Sequence, residues 1–87
     1  MVSRKHRDVL ERLLSGRSDA NIGFTDLITL LQGLGFSERI RGDHHIFSKE
    51  EVEEIINLQP KGSKAKPYQV RQVRGIITRY KMGFENE

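Results

Sequence analysis

The 87-residue sequence contains no cysteine. That excludes disulfide frameworks, thiolate zinc sites and cysteine nucleophiles, and it makes a reducing cytoplasm the expected compartment. No apolar run approaches the roughly 20 residues needed to cross a bilayer. The opening stretch MVSRKHRDVLERLL breaks up its apolar residues with charge, so it has no signal-peptide core and no membrane association is expected. Also missing are a G-x-S-x-G elbow and the G-x-x-x-x-G-K-[ST] spacing of a phosphate loop. Acid is absent from one long segment: Lys61 to Lys81 holds seven lysines or arginines and no aspartate or glutamate. Such a basic carboxy-terminal third, within a net charge of only +3, is a footprint that phosphate backbones attract. A chain of this length supports one small domain with a single thin core, and it shows neither an internal repeat nor a low-complexity tract.

Hydrophobic periodicity orders what is present. Leu10, Leu13 and Leu14 share one side of the stretch from Ser3 to Ser15. This predicts an amphipathic helix with Ser3 as N-cap and Gly16 as its stop. The turn-rich GRSDANIG connector follows, and then Leu27, Ile28, Leu30, Leu31 and Leu34 recur at helical spacing ahead of Gly35. From Phe36 to Gln59 the helical period vanishes. FSERIR, HHIFSK and VEEIINLQ, separated by Gly42-Asp43 and by a glutamate pair, predict a three-stranded antiparallel meander. The third run alternates poorly because Ile55 and Ile56 are adjacent. PKGSKAKP reads as a basic loop without regular structure. Pro67 then opens a last helix with Val70, Val73, Ile76, Ile77 and Tyr80 as its apolar stripe and Arg71, Arg74 and Lys81 along a wet basic edge. The order is α-α-β-β-β-α. Without its first helix it is an α+β, α-β-β-β-α arrangement with two helices on one sheet face, as in double-stranded-RNA-binding domains.

The histidines are the first place to seek chemistry. His44 and His45 are consecutive on an expected strand, so their side chains face opposite ways and cannot readily hold one ion. His6 lies far off in a polar helical turn, and neither a metal site nor a cofactor is expected. Glu50, Glu51, Glu53 and Glu54 match no cation-loop spacing and read as a solvated turn and strand edge. Lys61, Lys64 and Lys66 around Gly62 suit phosphate binding, since glycine admits close backbone approach and the lysines neutralise charge. The plainer reading is a solvated loop. A strand histidine is more often structural, yet with a pKa of roughly 6.5 it can take a proton from a ribose 2′-hydroxyl without a metal. The 2′-oxygen would then attack phosphorus, with lysine or arginine stabilising the growing charge. On the residues alone three readings stand: a ribonuclease, a non-catalytic RNA-binding module of the same fold, and a protein-interaction domain.

FTDLITLLQGLGFSERIRGDHHIF followed by IINLQPKGSKAKPYQVRQVRGII resembles the HicA family of toxin mRNA interferases from bacterial toxin–antitoxin pairs. The likeness rests on a helix ending in a GF-like pair, a G-x-H strand start and a basic loop before the final helix, and it covers about residues 22–80. It implies a double-stranded-RNA-binding-domain-like fold, metal-independent cleavage of mRNA, and a HicB-type antitoxin that covers the active surface. It also implies that His44, two residues after Gly42, is the catalytic base, with His45 facing the other side as packing or as a tuning neighbour. Lys61, Lys64, Lys66, Arg71 and Arg74 are the expected RNA phosphate contacts. Asp43 stands where the family often has a small residue. Its charge would either repel a phosphate or raise the pKa of a nearby histidine. The acidic run at Glu50–Glu54 is a second departure. The expected organisation is one compact domain, with residues 1–21 as an additional helix and connector and 22–87 as the HicA-like unit.

Overall fold

The computed structural model describes residues 3–84. Helix α1 spans Arg4–Ser15 and α2 spans Phe24–Gly33, with one 3₁₀ turn between them at Asp19–Asn21. Strands β1 (Ser37–Arg41), β2 (His44–Lys49) and β3 (Val52–Leu58) come next, then short strands β4 (Pro60–Lys61) and β5 (Lys64–Ala65), and finally helix α3 (Pro67–Arg79).

Helix α1 begins where a side chain can satisfy its free amides. Ser3 Oγ accepts from the His6 amide at 3.2 Å, while the Ser3 amide donates to His6 Nδ1 at 3.3 Å. The helix stops at Gly16, whose φ of +72° only glycine adopts without strain. Pro67 occupies the first turn of α3, where its missing N–H has no acceptor to lose.

The larger sheet runs β1-β2-β3, antiparallel throughout. Pairing in the ladder settles which residues share a face. Glu38, Phe47 and Ile56 lie in one inward row, and Ile40, His45 and Leu58 in the next. Arg39, Ile46 and Asn57 form an outward row, with Arg41 opposite His44 and Ser37 opposite Ser48 beside it. The adjacent isoleucines of β3 therefore divide between faces, Ile56 fully buried and Ile55 more than half exposed. The three helices and the inner sheet face enclose one core, in which Leu13, Leu27, Leu30, Leu31, Phe47, Ile56, Leu58, Val70 and Val73 have no exposed surface. Burying each such side chain contributes about 1.5–3 kcal/mol.

The basic loop differs from expectation, because it is a hairpin. Pro60 pairs with Ala65 and Lys61 with Lys64 around a turn in which Gly62 has φ +63°. The segment before α2 supplies further partners: the Phe24 amide donates to the Ser63 carbonyl and the Ala65 amide to the Ile22 carbonyl, each at 2.9 Å. These acceptors lie some forty residues away in sequence, so no local pattern announces them.

Candidate functional site

The turn Gly42-Asp43 brings His44 to the start of β2. Gly42 has φ +62° and Asp43 does not share the positive sign, which is the backbone of a type II′ hairpin turn with glycine at its first central position. The two histidines then part as strand alternation requires. His45 turns inward, where Nδ1 lies 2.7 Å from Glu38 Oε2 and the ring meets Phe24 edge to face at 5.0 Å. His44 stays on the open face, with 45% of its side chain exposed.

Around His44 a polar chain links three elements. Its Nδ1 lies 3.1 Å from Asn57 Oδ1 on β3, and its Nε2 lies 3.8 Å from Asp43 Oδ1. An amide oxygen can only accept, so the contact with Asn57 puts a proton on Nδ1, and in the neutral ring Nε2 then keeps its lone pair, as a proton acceptor needs. The other Asp43 oxygen accepts from Gln59 Nε2 at 3.0 Å, and Gln59 Oε1 accepts from Lys66 Nζ at 3.3 Å. That bond from Gln59, helped by its own backbone and by the charges of His44 and Lys66, holds the Asp43 carboxyl below the usual range. Gln69 braces the group from beneath: its Oε1 accepts from the Gln59 amide and its Nε2 donates to the Asn57 carbonyl, both at 3.3 Å. Gln69 is buried inside the apolar stripe of α3, where a polar side chain costs stability unless it is bonded.

Of the expected phosphate contacts, Lys61 and Lys64 are exposed on the small hairpin, and Lys66 is drawn toward His44 through Gln59. Arg71 is exposed on α3. Arg74 departs from the wet edge predicted for it. Its guanidinium forks onto Asp19 at 2.8 and 3.1 Å and donates to the Leu13 carbonyl at 3.1 Å. The reason is tertiary: α3 packs beside the end of α1 and the 3₁₀ turn, which puts the Asp19 carboxylate and the Leu13 carbonyl, already accepting from the Gly16 amide, within reach of the guanidinium. The bond from Arg74 holds the Asp19 carboxyl below its usual range.

The acidic run also divides. Glu50, Glu51 and Glu53 are exposed, whereas Glu54 accepts from Tyr80 Oη at 2.7 Å and from Arg79 at 3.0 Å, tying β3 to the end of α3. Four residues of the His44 surroundings escaped the sequence reading. Asn57, Gln59 and Gln69 carry no local signal, because β-register and helix docking bring them in. Arg41 could have been found, since a two-residue turn puts it directly across from His44.

Residues 24–78 match the family model described as the HicA toxin of bacterial toxin–antitoxin. No curated protein and no solved structure gives a match.

Proposed function

Because the chain belongs to the HicA family of bacterial toxins, we propose that it is a metal-independent endoribonuclease that cleaves mRNA and is held in check by a HicB-type antitoxin. The family belongs to toxin–antitoxin pairs, so an antitoxin partner is implied. Among the described residues no helix is long and apolar enough to cross a membrane. The observation that carries the reading is the exposed His44 ring with Nδ1 against Asn57 Oδ1 and Nε2 on the open face.

His44 Nε2 accepts the proton of a ribose 2′-hydroxyl. The 2′-oxygen then bonds to the adjacent phosphorus, the bond to the 5′-oxygen breaks, and that oxygen leaves with a proton. The products are a 2′,3′-cyclic phosphate and a 5′-hydroxyl. Asp43 steadies the imidazolium that forms, its carboxylate lying 3.8 Å from Nε2. Lys66, Lys61, Lys64 and Arg71 hold phosphates around the site. Arg74, committed to Asp19 and Leu13, leaves that set. Gly42 sets the turn that aims His44, and His45 anchors the strand against Phe24 and Glu38.

The test incubates the protein and its His44→Ala variant with a long single-stranded RNA in EDTA and follows cleavage and end chemistry. Loss of the base should lower the rate by about 10²–10⁴-fold, with cyclic-phosphate ends from the wild type. RNA binding by both proteins with cleavage by neither would replace the ribonuclease with an RNA-binding module.

A further inference from the structure

The face of the sheet turned away from the helices carries features that the proposed reaction does not use. Arg41 pairs across the ladder with His44, and Arg39 with Ile46. Both arginines are exposed and neither forms an ion pair among the described residues. In contrast, Arg74 and Arg79 are held by Asp19 and Glu54. Glu38, the acid between Ser37 and Arg39, is occupied on the other side of the strand by Gln32 at 2.8 Å and His45 at 2.7 Å. Next to Arg39 lies a groove of about 410 Å³ lined by Ser37, Glu38, Arg39, Ile46, Ser48 and Ile55. Ile55 is 56% exposed on its floor. Charge is graded along the face, with Arg41 and His44 at one end, Arg39 in the middle, and the exposed Glu50, Glu51 and Glu53 beside a single lysine, Lys49, at the other.

We infer that this open face is the track for a single RNA strand flanking the scissile bond, with Arg41 and Arg39 on successive phosphates and a base laid over Ile46 and Ile55. Alternate residues of one strand stand about 6.7 Å apart, close to the repeat of phosphates along an extended nucleic-acid chain. A rigid strand fixes the two backbone positions at that interval, so that only the arginine side chains have to order on binding. The isoleucines offer an apolar floor on which any base can lie, while the acidic far end repels phosphate. The footprint therefore covers the basic half of the face and stops short of the turn at Glu50. Both the unpaired arginines and the charge gradient favour a polyanion over an apolar protein surface as the occupant.

The inference rests on RNA being the substrate, so the experiment reads binding apart from cleavage. A short single-stranded 2′-fluoro RNA, which lacks the attacking hydroxyl, is titrated by fluorescence anisotropy across a range of salt. Arg39→Ala should weaken binding several-fold and reduce the slope of log K against log salt by about 0.7, the value for one phosphate contact on a single strand. Ile55→Ala should weaken binding with the slope unchanged, because it removes contact area and no charge. Arg4→Ala, at an exposed position on α1, is the control for loss of one positive charge and should leave the slope as it is. Binding by the wild type with Arg39→Ala and Ile55→Ala both indistinguishable from it would overturn the track and leave the face to a protein partner. No binding by the wild type would overturn the RNA reading as well.

Discussion

A histidine becomes a base through what touches its second nitrogen. Here Asn57 accepts from Nδ1 of His44 at 3.1 Å, and the amide has no charge with which to pull the proton away. Asn57→Ala should free the ring to exchange tautomers and rotate, lowering kcat more than it changes KM. Nitrogen-15 NMR of the His44 ring gives the independent reading: mainly Nδ1-protonated signal in the wild type at high pH, and a mixture in the variant. An unaltered tautomer ratio would mean that Asn57 plays no positioning part. The contact was not legible in the sequence, since Asn57 is one polar residue among several on β3 and only register places it diagonally from His44.

At the scale of the element, two glycines show how backbone geometry decides the sign of one substitution. Gly42 holds φ +62° in the turn before His44. An alanine there meets no atom within 4 Å, yet it is strained by about 1–2 kcal/mol because its Cβ crowds the following carbonyl. Gly75 sits exposed within α3, also with nothing within 4 Å, and it has helical backbone. Gly42→Ala should lower the melting temperature by about 4–8 °C per kcal/mol, whereas Gly75→Ala should raise stability by about 0.5–1 kcal/mol. Thermal unfolding of the two variants side by side checks both directions. The Gly42 turn was legible from its dipeptide between two strand-like runs, and so were the caps at Ser3, Gly16 and Pro67. The hairpin at Lys61–Lys64 was not, because only two residues pair on each side of Gly62-Ser63, too few for a strand period to show, and its docking partners Ile22 and Phe24 are distant in sequence.

For the whole molecule, the fork between Arg74 and Asp19 fastens α3, the 3₁₀ turn and the end of α1 together. Arg74 and Asp19 keep only 24% and 18% of their side-chain surface exposed, so the pair stands between a surface bridge and a buried one. Asp19→Asn should cost about 1–3 kcal/mol at neutral pH. The folded-state pKa of Asp19 is depressed, so its contribution is complete above the unfolded value of about 3.9 and is lost as pH falls through the lower folded value. Acid unfolding followed from pH 6 downward should be steeper for the wild type than for Asp19→Asn. Some slope remains in the variant, since Asp43 and Glu54 are depressed too, chiefly by Gln59 and Tyr80. Equal slopes in both proteins would show that the fork carries no stability.

The sequence by itself determined the order of the three helices and of the three strands of the larger sheet, the helix ends, the split of His44 and His45 to opposite faces, and the family. Each of these rests on interactions within a few residues or on a period that any reader of the chain can count. Tertiary structure alone decided that Arg74 serves the core edge, that Gln69 and Gln59 brace Asp43, and that Arg39 and Arg41 share the face of His44. Those outcomes depend on which distant groups helix docking and strand register leave in need of a partner, and a polar side chain carries no mark in the sequence of the one it will meet.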